Sequence, residues 1–119
     1  MDGHGLAKDS TAAFRFFLKA AESGLAIDQR NVGLLYATGD GTETDLVAAA
    51  KWFKKAAEQG DLYGKFNWGL CNLNGNGVDK NESMAVENFK EPAEHGLLDA
   101  QVALADCYMD GVGTVKNSE

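Results

Sequence analysis

Three Gly-x-Gly loops, "GDG" at 39–41, "GNG" at 75–77 and "GVG" at 111–113, are of a kind that can cradle a phosphate. A phosphate loop of the P-loop type also needs Gly-Lys-Ser/Thr, and a dinucleotide site needs a strand before the glycines. The chain has neither, and the loops recur at one phase of the sequence, so they read as turns. "DGTETD" offers Asp40, Thr42, Thr44 and Asp45 as oxygen ligands but lacks the twelve-residue calcium-loop pattern. It reads as a turn that ends in a helix cap. Cys71 and Cys107 are 36 residues apart and hold equivalent positions. Equivalent helices stack roughly 9–10 Å apart, beyond the roughly 7 Å that a disulfide spans. Two reduced, mostly buried thiols are expected, which lean mildly towards the cytoplasm and leave localisation otherwise open. His4 and His95 join no Cys/His cluster with zinc spacing. Glu22, Glu58 and Glu94 recur by phase and read as structural. No nucleophile stands with a base. The chain is therefore expected not to be an enzyme, with no catalytic residue, cofactor or metal.

The elements that position these residues are repeated. Gly24, Gly60 and Gly96 are 36 residues apart in succession. The same step relates Ala21-Glu22, Ala57-Glu58 and Ala93-Glu94, and also Phe17, Phe53 and Phe89. It relates Gly39, Gly75 and Gly111, and Gly3 and Gly5 lie one period before Gly39 and Gly41. Such a period is the signature of a stacked repeat architecture. The 119 residues divide into complete units at 25–60 and 61–96, with partial units at 1–24 and 97–119, in a single domain.

Each unit reads as two helices. "DLVAAAKWFKKAAEQG" starts at Asp45, an N-cap whose carboxylate accepts from orphan N–H groups, with Asp9 and Asn81 at the same phase. Ala49, Trp52, Phe53, Ala56 and Ala57 follow at helical spacing, and Gly60 supplies a C-cap. The other helix is "DLYGKFNWGLCNL", with counterparts beginning near Ile27 and Asp99. Small residues at Gly33, Gly69 and Ala105 are packing concessions. A helix pair of this size buries its apolar faces only by stacking on neighbours. The expected fold is all-α, an α/α superhelix (solenoid) of antiparallel helix pairs with a 36-residue period.

The residues Leu34–Tyr36, Gly39-x-Gly41, Asp45, Ala49, Trp52-Phe53 and Lys55-Ala56-Ala57-Glu58-x-Gly60 resemble the Sel-one-like repeat, a relative of the tetratricopeptide repeat. The pattern returns at Trp68-Gly69, Gly75-x-Gly77-Val78, Asn81, Ala85, Phe89 and Ala93-Glu94-x-Gly96, so the resemblance covers nearly the whole chain. It implies an α-solenoid that serves as an adaptor or scaffold for protein complexes. The chain departs from the pattern where Asn72 replaces the tyrosine, Asn88 the tryptophan, Glu91 the lysine and Pro92 the first alanine. Ala105 stands where glycine is expected. Pro92 lies deep in a helix, removes an N–H and crowds the carbonyl of Asn88; a kink, or a helix ending near Lys90, is expected.

Solenoids of this type present their first helices to a concave groove. On the middle unit Tyr63, Phe66, Leu70 and Leu73 form a second apolar stripe beside Gly64, Trp68 and Cys71. By phase its neighbours are Ile27, Arg30 and Leu34 on one side, and Asp99, Val102, Asp106 and Asp110 on the other. Two readings stand: Tyr63 and Phe66 anchor a partner segment in this groove, or both rings pack between repeats. The leading function is a protein–protein interaction module or scaffold. The alternatives are an enzyme or enzyme regulator on the same solenoid, and a spacer within a larger repeat protein.

Net charge is −7, and it is uneven: residues 1–60 carry 7 basic and 8 acidic side chains, residues 61–119 carry 4 and 10. An acidic surface repels phosphate backbones and disfavours nucleic acid; a basic protein or peptide suits it. No apolar run approaches the roughly 18 residues of a membrane span, and the polar start "MDGHGLAKDST" does not read as a secretory signal. The last unit lacks its second helix, so self-association through residues 98–109 is also expected as a route to partners.

Overall fold

A computed structural model of the chain describes residues 8–114. Among the described residues six helices follow one another: α1 (Ser10–Glu22), α2 (Ala26–Thr38), α3 (Leu46–Glu58), α4 (Leu62–Asn74), α5 (Glu82–Glu94) and α6 (Leu98–Asp110). Each has 13 residues, and there are no strands among the described residues. Consecutive helices pack on one another, and α2 also touches α4. The stack is elongated, 63 × 27 × 22 Å. Gly3, Gly5 and His4 lie outside the described residues.

The helix ends follow from the sequence. Asp9, Asp45 and Asn81 each accept a hydrogen bond from the backbone N–H three residues on, at Ala12, Ala48 and Met84. These caps satisfy donors that the helix cannot. Gly39, Gly75 and Gly111 close α2, α4 and α6 in the left-handed conformation. The second glycine of each loop has another task. A Cβ on Gly41, Gly77 or Gly113 would run into the backbone carbonyl of Ser10, Leu46 or Glu82, the first residue of the helix one unit earlier. The loops are thus inter-unit contacts, which is why they recur at one phase.

Burial follows the repeat. Ala21, Ala56, Ala57 and Ala93 are buried, so the recurring alanines are helix contacts. Three clusters run along the stack. Phe14, Ala21 and Val32 pack with Tyr36 and Trp52. Ala49, Ala50, Phe53 and Cys71 pack with Trp68. Ala85, Val86, Phe89 and Cys107 pack with Phe66, Leu70 and Leu73. The small residues of the first helices serve this packing. A Cβ on Gly33 would meet the Phe53 ring at 2.6 Å, and one on Gly69 the Phe89 ring at 2.7 Å. Helix α6 carries Ala105 at this phase, and no described helix follows it there.

Of the two expectations for Pro92, the early helix end needs correction. Helix α5 does not end near Lys90; it runs through Pro92 to Glu94 with the same length as the others. Pro92 sits close enough to the C-terminus that little helix follows the missing N–H. The cap is unaffected: the Leu97 N–H donates to the Pro92 carbonyl at 2.9 Å, as the Asp61 N–H does to Ala56 at 3.1 Å. The ring itself is fully buried, where Ala56 is buried one unit earlier. Pro92→Ala restores a donor and removes part of that packing. A net gain of under about 1 kcal/mol is expected in urea unfolding, since near the helix end the penalty falls below the roughly 3 kcal/mol of an interior position and only slightly exceeds the ring's burial. A loss of stability would show that the ring is a packing element.

Candidate partner-binding face

The candidate residues come from α2, α4 and α6, which stand in succession as the first helices of their units. Tyr63 is 51 % exposed. Its ring lies beneath Arg30, whose guanidinium carbon is 5.0 Å from the ring centroid. Arg30 Nε also donates to Asp61 Oδ2 at 3.0 Å. Asp61 caps α4 as well, accepting from the Gly64 N–H at 2.8 Å. One carboxylate thus fixes the helix start and the arginine, and the arginine fixes the phenol. Ile27, Leu34 and Val102 are exposed on the neighbouring helices, and so are Asp99, Asp106 and Asp110.

Other members of the stripe sit differently. Phe66, Leu70 and Leu73 pack on the α5–α6 cluster, with the Phe66 and Phe89 ring centroids 5.7 Å apart. The two readings of the aromatic stripe therefore divide: Tyr63 is accessible, and Phe66 packs between repeats. Leu34 of α2 and Leu70 of α4 are brought to one place. They line a crevice of about 180 Å³ whose walls include Phe53, Asn67 and Cys71.

Sequence reasoning missed three pairings. Arg30 is not a free cation at one end of the groove, because Asp61, 31 residues on, neutralises it. Asn72 and Asn88, read as separate departures, hydrogen-bond to each other at 3.1 Å. The signal was available: both aromatic positions of one unit are lost together. A third departure is also paired. Glu91 takes an ion pair from Lys65 of α4. The hydrogen bond and charge of Lys65 hold the Glu91 carboxyl below the usual carboxylate range.

Cys71 and Cys107 are free and buried in different clusters. Burial pushes the Cys71 thiol up to about 11 and raises Cys107 too. Such thiols are poor nucleophiles at neutral pH. Among the described residues no group of three or more His, Cys, Asp or Glu is placed to hold a metal ion. No described helix is long and apolar enough to cross a membrane.

The Sel1 repeat matches residues 1–25, 26–61, 62–97 and 98–119, the length of the chain. The chain belongs to the Sel1 repeat family. Repeats of this family are generally protein–protein interaction modules. The solved structures similar to this Sel1 chain agree on its superhelix. One is c5321, a protective antigen present in uropathogenic Escherichia coli strains, displaying an SLR fold. It is 35% identical with a TM-score of 0.92, over 98% of this chain and 25% of that one. Another is a Sel1 repeat protein from Oxalobacter formigenes, 36% identical with a TM-score of 0.88, over 97% of this chain and 47% of that one. A third is Helicobacter pylori cysteine rich protein B, 31% identical with a TM-score of 0.74, over 82% of this chain and 73% of that one. The Sel1 chain thus spans a quarter of the first and under half of the second. No curated protein matches it.

Proposed function

We propose that this Sel1 chain is an adaptor whose first-helix face binds a basic, amphipathic segment of a partner protein. The observation that carries the reading is Tyr63. It is a large aromatic ring, half exposed, contributing to none of the core clusters and held beneath Arg30. Aromatic anchors with restricted motion are what binding hot spots use, because little side-chain entropy remains to be lost. Exposed Ile27, Leu34 and Val102 extend the apolar row, and the Leu34–Leu70 crevice can take one apolar side chain. Asp99, Asp106 and Asp110 give one end of the face a negative field, which favours basic residues beyond the apolar anchors.

The test is a pair of substitutions that spares the core. Ile27→Ser with Tyr63→Ser changes exposed side chains, so stability is expected to move by less than about 1 kcal/mol. Retention of partner proteins from the native source is expected to fall at least roughly tenfold, as for loss of a hot-spot anchor. Unchanged retention by a folded double variant would remove this face from the function.

A further inference from the structure

Helices α3, α4 and α5 and the loop before α5 line an open cavity of about 470 Å³. Trp68, Asn72 and Asn88 form part of its wall. In the preceding unit the positions of Asn72 and Asn88 are held by Tyr36 and Trp52. Both pack into the cluster around Phe14, Ala21 and Val32, with Tyr36 edge-on to Phe14 at 5.1 Å and 82°. The backbone is the same at both places. The Asp45 N–H donates to the Tyr36 carbonyl at 2.9 Å, and the Asn81 N–H to the Asn72 carbonyl at 2.7 Å. The cavity is therefore a repeat position with its own aromatic side chains removed. Trp68 stands at the phase of Val32, so an indole is returned to this region from the first helix. The phenol of Tyr36 is not returned.

The polar groups left behind are specific. Asn88 Nδ2 donates to Asn72 Oδ1 at 3.1 Å and to the Met84 carbonyl at 3.0 Å. Among the described residues the Asn72 amide donor and the Asn88 amide oxygen have no hydrogen-bond partner, and the Asn72 side chain is buried. A hydroxyl can accept from the Asn72 amide N–H and donate to the Asn88 amide oxygen. An aromatic ring without a hydroxyl would cover both and leave them unpaired. Around the mouth, Glu58, Asp79 and Glu87 stand against Lys54, whose Nζ lies 5.8 Å from the Trp68 ring centroid. The rim is net negative. Volumes of this size are ordinary for side-chain and small-ligand sites.

We infer that this cavity receives a tyrosine side chain from a basic segment of a partner protein. The inserted phenol replaces the one this unit lacks, stacking near Trp68 with its hydroxyl between Asn72 and Asn88. Flanking lysines or arginines meet Glu58, Asp79 and Glu87. The inference rests on the reading of the chain as a partner-binding module. It names a point of contact separate from the Tyr63 face.

The experiment uses the whole chain, labelled with ¹⁵N, and three probes: N-acetyl-tyrosinamide, N-acetyl-phenylalaninamide and a Lys-Tyr-Lys peptide amide. The tyrosine probe is expected to shift the side-chain amide signals of Asn72 and Asn88 and the indole signal of Trp68. The phenylalanine probe is expected to bind roughly tenfold more weakly, the worth of about one good hydrogen bond. The lysine-flanked peptide is expected to bind tightest and to weaken with salt. Asn72→Tyr fills the site from within and is expected to weaken all three at least tenfold. Asn88→Trp does the same from the other wall, should the first variant not fold. Titration of the folded Ile27→Ser, Tyr63→Ser variant is expected to match wild type, so failure here is distinguishable from failure of the Tyr63 face. No shift at the three signals, equal binding of the tyrosine and phenylalanine probes, or full binding by a folded filled variant each overturns the inference.

Discussion

Phe89→Ala is expected to lower the unfolding free energy by about 3–5 kcal/mol, the range for removing a fully buried phenylalanine. Phe89 is 0 % exposed. It reaches α4, where Gly69 has no Cβ and so admits the ring, and it touches Phe66 at 5.7 Å between centroids. Its cluster includes Cys107 of α6, so one ring joins three helices. Neighbouring chains of atoms cannot close such a gap without moving whole helices. In a repeat stack, stability is roughly a sum of unit terms and nearest-neighbour terms. The loss should therefore be local as well as large. Amide exchange is expected to quicken most in α5 and α6 and least in α1. Urea unfolding gives the magnitude, and a loss below about 1 kcal/mol would mean that the ring is not the keystone of this end.

Gly77→Ala carries the second large expected effect, about 2–5 kcal/mol of destabilisation. Two costs combine. Gly77 has φ +75°, where an L side chain costs roughly 1–2 kcal/mol. The new Cβ also collides with the carbonyl of Leu46. That carbonyl opens α3 and is held in the helix ladder, so it cannot swing aside. Relieving such a collision costs typically another 1–3 kcal/mol. Gly60 is the internal control. Its φ is +89°, but a Cβ there meets nothing within 4 Å. Gly60→Ala should show only the conformational cost. The difference between the two variants in urea measures the inter-unit contact, and equal losses would deny that the loop makes one.

Much of this was readable because the repeat writes each signal three times. The caps at Asp9, Asp45 and Asn81, the closing glycines and the buried alanines hold their expected places. A feature imposed by the period is fixed by local chemistry and needs no knowledge of distant partners. The stripe on α4 was harder. Tyr63, Phe66, Leu70 and Leu73 share one helical spacing, yet α5 and α6 cover three of them and leave Tyr63 out. Periodicity marks a face; it does not say how far the neighbouring helix extends over it. The pairs Arg30–Asp61, Lys65–Glu91 and Asn72–Asn88 join positions 16 to 31 residues apart. They break the period, so counting along it hides them. Pro92 misled for a related reason. The rule for a helix interior was applied to a residue near the helix end, where the cap already bends the hydrogen-bond pattern.

These departures concentrate where the repeats at 62–97 and 98–119 meet their neighbours. The regular positions hold the stack together, and the irregular ones give it an individual surface: an arginine-backed tyrosine on one helix row and an aromatic vacancy between three helices.

The central claim is that a partner lies along the first helices, and contact at Tyr63 tests it most directly. A photo-crosslinking phenylalanine analogue is placed at position 63 and, in a second sample, at Lys51, which is exposed on α3. Both proteins are irradiated in the native source and their adducts resolved by mass. The account predicts a discrete protein adduct from position 63 that is absent or much weaker from position 51. An adduct from position 51 with none from position 63 would contradict it.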